Sequence, residues 1–316
     1  MKGLMILKGT AKNAAVYVIM LAGIPALSLL NPERYAAEPS PQVEICRSDR
    51  EFYTVYLTNE GKTVPISALD YSIGSVLAQM PADYSEEALK AQAVAANTYA
   101  LRLCELSSLD GADFSDDRTL YQEFFTEDEA KAFFGNGYEE AYEKAYAACS
   151  AVSGEYLAYE GIPIAAVFHP SSWEYTESAE TAFGEAVPYL ASVPSMTEKS
   201  QISEEITLTL AEISARFEAN FNEKAEGVPL TVTEKSPAGT VLSAELYGKP
   251  ISGNELSELL NLPSARFEFS INQDDITFTL LGSGHLCGMC QQGAQNMALD
   301  GWDYREILLH FYSVPS

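Results

Sequence analysis

The chain has 316 residues, enough to bury a substantial core as one large domain or as two. Hydrophobic residues make up 47% of it and aromatic residues 11%, which excludes a disordered chain and a small disulfide-dense scaffold. Aspartate and glutamate outnumber lysine and arginine by 45 to 19, for a formal net charge of −26. This balance argues against nucleic acid as a partner, because phosphates would be repelled along most of the surface.

An uncharged run, "AAVYVIMLAGIPALSLL", lies near the N-terminus at residues 14–30. It is at the short end of a membrane span and long for the core of a signal peptide. Lysines precede the run, and Asn31 and Glu33 follow it, which predicts a cytoplasmic N-terminus. We therefore expect residues 1–30 to form a cytoplasmic stub and an uncleaved single-pass anchor in the cell membrane, with the rest of the chain extracytoplasmic. A removed signal peptide and a buried core helix are the alternatives.

The segment after this run predicts a linker, then strands, then a helix. Residues 31–42 contain three prolines among mostly polar residues, which is typical of a linker. Short alternating apolar runs predict strands over 43–73. The stretch 85–106 is rich in alanine and leucine, lacks glycine and proline, and starts at a serine that suits a helix cap.

The rest of the chain mixes helices and short strands. We expect helices over 127–150, 200–221, 253–260, 286–299 and 303–312, strands across 228–280, and a hairpin that turns at Glu160-Gly161. Since no regular βαβ repeat is present, the predicted fold class is α+β: mixed strands and helices around a substrate groove, preceded by an N-terminal transmembrane helix. Residues 43–316 are expected to form one domain, within which 195–262 is a candidate inserted subdomain.

Candidate chemistry first arises in "MPADYSEEALKAQAVAANTYALR", residues 80–102. Glu86 and Glu87 fall in the first turn of the predicted helix, where carboxylates complement the helix dipole. One of them could instead be a general acid. Lys90 shares a face with Glu87 and, like the dipole, favours an ionised carboxylate, so an acid here needs burial in a groove. The residues alone leave both interpretations open.

A second polar cluster lies in "AAVFHPSSWEYTESAETAFGEAVPYLASV", residues 165–193. A lone histidine at a strand end is more often structural than catalytic. The hydroxyls and carboxylates beside Trp173 nevertheless suit sugar binding, in which aromatic faces stack and polar groups bind hydroxyls. The candidates for substrate binding are His169, Ser171, Ser172, Tyr175, Thr176 and Glu177.

The glycine-rich stretch "GSGHLCGMCQQGAQNMALDGW", residues 282–302, allows three interpretations. Cys287 and Cys290 have the spacing of a metal or redox pair. A structural zinc site needs four ligands, however, and His285 supplies only a third. A thioredoxin-like pair should follow a strand in a βαβ unit, which is not predicted here. We favour the wall of a binding groove, because glycines let backbone approach a ligand closely and leave His285 and Gln291 to point into it.

These three stretches, in this order, resemble the stage II sporulation protein D family, lytic transglycosylases of endospore formation. "EALKAQAVAANTYAL" is similar to the core helix of the family. "FHPSSWEYTESAETAFGEAVPYLASV" is similar to its Ser-Gly-Gly-x-Thr-Glu segment and the following Pro-Tyr-Leu. "GSGHLCGMCQQGAQNMA" is similar to its Gly-x-Gly-His-Gly-x-Gly-Met-Ser-Gln-x-Gly-Ala segment. The likeness extends over roughly residues 65–312.

The resemblance implies a membrane-anchored enzyme that cleaves denuded peptidoglycan strands during sporulation and engulfment, with Glu87 as catalytic acid and base. Such enzymes protonate the oxygen between N-acetylmuramic acid and N-acetylglucosamine and close the C6 hydroxyl on C1, so they need no second carboxylate. Other membrane-bound sporulation wall hydrolases are the expected partners. By motif position, the groove residues are Lys90, Gln92, Ser172, Thr176, Glu177, His285, Met289 and Gln291.

The chain also departs from the family pattern. Asn97 replaces an arginine, Gln79 a glutamate, and Trp173 and Glu174 replace a glycine pair. In the last motif, the replacing residues are Leu286, Cys287 and Cys290. Two bulky residues in a sugar groove could narrow it, so the alternative function is a catalytically weakened glycan-binding scaffold of the sporulation wall machinery. A redox protein built on the two cysteines is a third.

Some relatives bind zinc through a Cys/His cluster after the core helix. The matching region here, "SDDRTLYQEF", has neither residue. We therefore expect no metal and no cofactor.

Overall fold

The computed structural model describes residues 42–106, 109 and 111–315, and its chain divides into two compact units. The first unit contains the described residues up to Val167, with Phe183–Ala191 and residues from Ala294 onward. The second unit contains Phe168–Ala182 and Ser192–Gly293. This division does not test the predicted domain boundaries, and the inserted subdomain over 195–262 stays a prediction.

Helices and short strands alternate along the described chain. The α-helices are α1 (Ala68–Gln79), α2 (Glu86–Leu106), α3 (Glu127–Phe134), α4 (Tyr138–Ala151), α5 (Ala179–Phe183), α6 (Lys199–Ile202), α7 (Leu210–Phe221), α8 (Gly253–Leu260), α9 (Gln291–Leu299) and α10 (Tyr304–Phe311). The strands are β1 (Val43–Arg47), β2 (Phe52–Leu57), β3 (Lys62–Ser67), β4 (Phe114–Ser115), β5 (Glu155–Tyr159), β6 (Ile162–Pro163), β7 (Phe168–His169), β8 (Ser171–Ser172), β9 (Glu204–Thr209), β10 (Leu230–Lys235), β11 (Val241–Leu246), β12 (Lys249–Ser252), β13 (Phe267–Ile271), β14 (Asp275–Leu280), β15 (Gly282–Ser283) and β16 (Met289–Cys290).

The fold is a mixed α+β arrangement with several small sheets, but the transmembrane part of the predicted fold class is wrong. Within residues 42–106 and 111–315, no helix is both long enough and apolar enough to cross a membrane. The longest, α2, has 21 residues but begins with two glutamates and contains Lys90 and Arg102. The uncharged run at 14–30 lies outside the described residues.

The first unit is built around α2. Its alanines are all buried, and these small side chains let α1, α4, α10 and β5 pack closely against it. Two three-stranded sheets, ordered β1-β5-β6 and β3-β2-β4, complete the unit. Tyr53, Tyr71 and Phe114 form a buried aromatic cluster with ring centroids 5.1–5.6 Å apart. Such aromatic pairs add to the apolar burial that holds α2 in place.

Asn97, one of the departures from the family pattern, is a core residue of this unit. Its side-chain oxygen accepts a hydrogen bond from the hydroxyl of Tyr53 at 2.6 Å, and its amide donates to the backbone carbonyl of Glu155 at 2.9 Å. The residue is 6% exposed. An asparagine here therefore ties α2 to β2 and β5.

The second unit has a core of its own between two antiparallel sheets, β10-β11-β12 and β13-β14-β9, and the helices α7 and α8. Phe217, Phe267 and Phe278 are fully buried in this core. Two short ladders carry the motif segments. Strand β15 pairs with β8, and β16 pairs in parallel with β7, so the glycine-rich stretch lies alongside the segment that begins at Phe168.

Most of the predicted elements are confirmed, and four are wrong. The helix expected over 286–299 begins only at Gln291, because Met289–Cys290 pair with β7 as strand β16. The predicted strands over 43–73 end in helix α1, because the apolar residues at 68–79 recur with helical spacing. The helix expected over 127–150 is interrupted by a 3-10 turn at Gly135–Gly137. The helix expected over 200–221 is broken into α6 and α7, since the β-branched residues between them form β9.

The packing of α1 predicts that Gly74 tolerates no side chain. A Cβ atom added there would lie 2.3 Å from the backbone oxygen of Phe125. Alanine is the better helix former, yet Gly74→Ala should lower the free energy of unfolding by about 1–3 kcal/mol because the clash forces the backbone apart. Thermal or urea unfolding measures this. Gly137→Ala is the matched control: its φ is −86° and its surroundings are open, so its stability should match or slightly exceed wild type. Equal stability of the two variants would contradict the prediction.

Candidate active site

Glu87 lies in the first turn of α2 with both carboxylate oxygens engaged. Oε1 accepts from the ammonium of Lys90 at 2.8 Å, and Oε2 accepts from the backbone N–H of Tyr304 at 2.9 Å. The side chain is 31% exposed. It is therefore held in one orientation and is only partly buried. Both donors favour the ionised carboxylate, so the burial that an acid at this helix start needs is met only in part.

Lys90 is shared between two carboxylates. Its ammonium lies 2.7 Å from Oε1 of Glu86 and 2.8 Å from Oε1 of Glu87, and its side chain is only 15% exposed. Burial lowers the pKa of Lys90, but the hydrogen bonds to the two glutamates outweigh burial and raise it overall. The lysine thus stays charged, and the predicted contact between Glu87 and Lys90 is confirmed.

Two other elements of the first unit meet the start of α2. Tyr304 is the first residue of α10, whose next amides are capped by Asp303. Gln295 accepts a hydrogen bond from the backbone N–H of Ser85 at 2.7 Å. The helix start that carries Glu87 is therefore fixed by α9 and α10 as well as by its own turn. Gln92, one turn further along α2, is fully buried.

His169 forms a buried network with its neighbours in the second unit. Its Nδ1 lies 3.1 Å from the carbonyl oxygen of Cys287, which can only accept, so Nδ1 carries the proton. Its Nε2 therefore accepts from the hydroxyl of Ser172 at 2.9 Å. Such a Ser–His pair resembles a nucleophile and its base, but Ser172 is fully buried. The Ser172–His169 pair therefore serves to pack this segment.

His285 lies beside this network. The two imidazole centroids are 5.9 Å apart, and Nδ1 of His285 accepts from the backbone N–H of Cys287 at 3.1 Å. Burial lowers the pKa of His285 to about 4, and burial followed by the proximity of His285 sets the pKa of His169 well below its usual range. Both rings are therefore neutral near pH 7.

Glu177 and Arg266 form a buried ion pair in the same unit. One guanidinium nitrogen lies 2.7 Å from Oε1 of Glu177, and their side chains are 3% and 1% exposed. The hydroxyls of Ser236 and Thr240 also donate to this oxygen. Arg266 further donates to the carbonyls of Trp173 and Tyr175, at 3.0 and 2.5 Å. Glu177 thus anchors the serine- and threonine-rich segment to the sheet core.

The second unit brings several predicted site residues together and separates others from solvent. Glu177 and His285 both line a polar cavity of 250 Å³, together with Thr181, Thr240 and Asn254. Tyr175 is exposed, and Ser171 and His285 are partly exposed. The predicted site residues whose side chains are nearly or fully buried are His169, Ser172, Thr176, Glu177, Met289 and Gln291.

The thiols of Cys287 and Cys290 are fully buried and unbonded to each other. Burial raises the pKa of both, which disfavours the thiolate that redox exchange and metal binding require. No cluster of three or more potential metal-ligating side chains occurs in residues 42–106, 109 and 111–315. The glycines serve close packing instead: a Cβ at Gly282 would lie 2.7 Å from the carbonyl oxygen of Ser171.

Two departures from the family pattern occupy backbone positions that favour glycine. Glu174 has a φ of 58° and Leu286 a φ of 64°, both in the left-handed region. Glu174 and Leu286 thus adopt a backbone conformation that glycine adopts without strain, and their side chains make it sterically costly. Trp173 is partly buried, with the ammonium of Lys199 5.0 Å from its ring centroid.

Sequence reasoning missed three polar residues around these clusters: Tyr304, Glu155 and Arg266. A buried arginine or glutamate leaves no periodic trace in the sequence, since its burial depends on partners far along the chain. Tyr304 contacts Glu87 through its backbone, so its side-chain identity could not reveal it.

Comparison with known proteins decides the family. Residues 58–159 match the family described as "Stage II sporulation protein". The chain is 36% identical over 263 residues to Stage II sporulation protein D of Bacillus subtilis (strain 168), an alignment that spans 82% of this chain and 76% of that protein. It is 33% identical over 261 residues to Stage II sporulation protein D of Bacillus amyloliquefaciens, with the same two shares. The chain belongs to the stage II sporulation protein D family.

A more distant relative is the "Amidase enhancer" of Bacillus subtilis (strain 168), 24% identical over 294 residues that span 76% of this chain and 39% of that protein. Membership of the stage II sporulation protein D family confirms the resemblance carried by the three motifs. It is consistent with a role at the cell wall during sporulation.

The left-handed backbone at Glu174 predicts that Glu174→Gly stabilises the protein. The exchange relieves about 1–2 kcal/mol of backbone strain in the folded state. It also stabilises the unfolded state by about 0.5–1 kcal/mol, because glycine gives the unfolded chain more conformational entropy. We expect a net gain of about 0.5–1 kcal/mol in the free energy of unfolding, measured by urea titration. Glu180→Gly, the same exchange at an exposed position within α5, should destabilise instead. A loss of stability in both variants would contradict this account of the glycine replacement.

The two neutral histidines predict that the second unit loses stability in mild acid. Their folded pKa values lie below the unfolded value of 6.5, so the unfolded state binds more protons as the pH falls from 6.5 towards 4. The free energy of unfolding should drop over this window, by on the order of 1 kcal/mol per pH unit for each histidine. The substitution His285→Asn should flatten the slope. Above pH 7 the variant and wild-type profiles should run parallel. An identical slope in both proteins below pH 6.5 would refute the assignment.

Proposed function

We propose that this protein is a lytic transglycosylase that cleaves peptidoglycan glycan strands during sporulation, with Glu87 as its catalytic acid and base. The observation that carries the proposal is the Glu87 carboxylate: partly exposed at the start of α2, with a donor on each oxygen. The family shared with the two stage II sporulation protein D relatives supports the assignment to sporulation.

The proposed reaction needs one carboxyl group. Glu87 in its acid form protonates the oxygen between N-acetylmuramic acid and N-acetylglucosamine, and the bond from that oxygen to C1 breaks. The resulting carboxylate takes the proton from the C6 hydroxyl, whose oxygen closes on C1 to give a 1,6-anhydro end. The acid is thereby regenerated, and no water is consumed. An internal nucleophile replaces the second carboxylate of ordinary glycosidases.

Lys90 lets Glu87 take up and release a proton without leaving a buried charge unpaired. When Oε1 of Glu87 gains a proton, the ammonium keeps Glu86 as a partner at 2.7 Å. Removing one member of a buried ion pair is costly when the other is left alone. The shared arrangement avoids that cost and so supports an alternating acid and base role.

Glu87 suits this role better than its neighbour Glu86. The Glu86 side chain is 61% exposed and pairs with Lys90, whereas Glu87 is 31% exposed and is also held by the amide of Tyr304. A catalytic group has to be held in a defined geometry by its surroundings. The two adjacent glutamates therefore provide a matched pair for mutagenesis.

We assign sugar contacts to the accessible members of the second unit, Tyr175, Ser171 and His285. Tyr175 is 46% exposed, so its ring face can stack on a pyranose. Ser172, Thr176 and Met289 are fully buried, and their proposed part is to shape the binding surface from behind. The described domain would act outside the cytoplasm, on the wall itself. Other wall hydrolases are the proposed partners, a theme that the distant relative named "Amidase enhancer" supports.

Glu87→Gln should abolish the release of anhydromuramyl products from glycan strands freed of stem peptides, because an amide is too weak an acid to protonate the glycosidic oxygen and too weak a base to take the C6 hydroxyl proton. Products of the purified protein are measured by chromatography and mass spectrometry. Glu86→Gln is the control: its amide oxygen can still accept from Lys90, so the lysine keeps its second partner and activity should stay within severalfold of wild type. The melting temperatures of both variants should stay close to that of wild type.

The outcome separates the two functions under consideration. Anhydro products from wild type and Glu86→Gln but not from Glu87→Gln support the transglycosylase. Product release by Glu87→Gln at the wild-type rate would remove this residue from the mechanism. Strand binding by all three proteins, with no anhydro product from any, would instead favour a glycan-binding scaffold.

A further inference from the structure

Tyr304 joins two carboxylates of the first unit through two different groups. Its backbone N–H donates to Oε2 of Glu87 at 2.9 Å, and its phenolic hydroxyl donates to Oε2 of Glu155 at 2.9 Å. Because Tyr304 is the first residue of α10, its N–H has no partner within the helix and points outward from the helix start. The position of this amide is therefore set by whatever holds the start of α10.

Glu155 holds that start. Its side chain is 8% exposed and accepts from Tyr304 and, at 2.8 Å, from the guanidinium of Arg305 on the same helix. Arg47 on β1 contributes a third, longer contact at 3.3 Å. The backbone carbonyl of Glu155 also accepts from Asn97 of α2 at 2.9 Å. The residue thus connects β5 to α10 and to the helix that carries Glu87.

The phenol of Tyr304 keeps its proton at neutral pH. Burial, and then the hydrogen bond to Glu155, raise the pKa of Tyr304, so its hydroxyl remains a donor. The chemistry proposed for Glu87 makes no use of Glu155. Burying a carboxylate nevertheless costs free energy. The cost is offset only when its three donors, Tyr304, Arg305 and Arg47, are all in place.

We infer that Glu155 is a positioning residue that, through Tyr304, fixes Oε2 of Glu87 and leaves Oε1 as the oxygen that exchanges its proton with the glycan. This inference rests on the proposed function. A backbone amide anchored by α10 cannot withdraw from Oε2. The ammonium of Lys90 can withdraw from Oε1, because Glu86 offers it a second partner at 2.7 Å.

The test removes the hydrogen bond between Tyr304 and Glu155 without changing Glu87 or Lys90. In Tyr304→Phe the hydroxyl is lost and the backbone amide remains, so kcat for anhydro product release should fall about ten- to a hundredfold with little change in KM. The Glu155→Gln variant should behave in the same way. If both act through one link, the double variant should be no slower than the slower single variant.

Tyr53→Phe is the control for a merely structural effect. This exchange also removes a hydroxyl hydrogen bond in the first unit, the buried one to Asn97 at 2.6 Å. It does not touch α10, and the separate bond from the Asn97 amide to the Glu155 carbonyl keeps both of its groups. It should lower the melting temperature and leave kcat within twofold of wild type. Hydrogen exchange at the Tyr304 amide gives a readout that needs no turnover. Its protection should fall at least tenfold in Tyr304→Phe and Glu155→Gln and stay unchanged in Tyr53→Phe.

Wild-type kcat and wild-type amide protection in Tyr304→Phe would overturn the inference, while inactivity of Glu87→Gln would leave the proposed function standing. A kcat loss of the same size in Tyr53→Phe would also overturn it. If wild-type protein releases no anhydro product, the proposed function fails. The amide exchange of Tyr304 then decides whether Glu155 holds this helix start, and unchanged protection would refute that as well.

Discussion

The hydrogen bond from the backbone of Tyr304 to Glu87 is the interaction on which the candidate site depends. It requires the start of α10 to lie against the start of α2, and the buried carboxylate of Glu155 and the alanine-rich surface of α2 both enforce that arrangement. A side-chain donor could rotate away, but an amide at a helix start moves only with the helix. The geometry around Glu87 is thus a consequence of helix packing.

The second unit uses a buried ion pair in a comparable way. Arg266 joins Glu177 to the carbonyls of Trp173 and Tyr175, so a single fully buried guanidinium sets the course of the motif segment. Replacing such a pair by apolar groups can be neutral for stability, but breaking one partner is not. Glu177 is therefore best understood as a structural anchor whose carboxylate also borders a small polar cavity.

Sequence reasoning identified the family, the α+β class, helix α2 and the contact between Glu87 and Lys90, because these depend on local spacing. It failed where the local structure depends on contacts with residues far along the chain. Asn97 was treated as a departure within a site motif, whereas its hydrogen bonds to Tyr53 and Glu155 place it in the core. The sequence predicts one helix over 200–221, but its residues 204–209 form β9 ahead of α7. The assigned roles of the site residues themselves stay predictions.

The left-handed residues Glu174 and Leu286 show that larger side chains can occupy a backbone path that suits glycine best. In the second unit, Arg266 and the ladder between β8 and β15 hold that path from outside, so the local sequence is released from specifying it. Sequence searches that require glycine at such turns will miss chains that have another residue at the left-handed position. Comparing dihedral angles instead would recover them and would indicate which turns in a family are fixed by their surroundings.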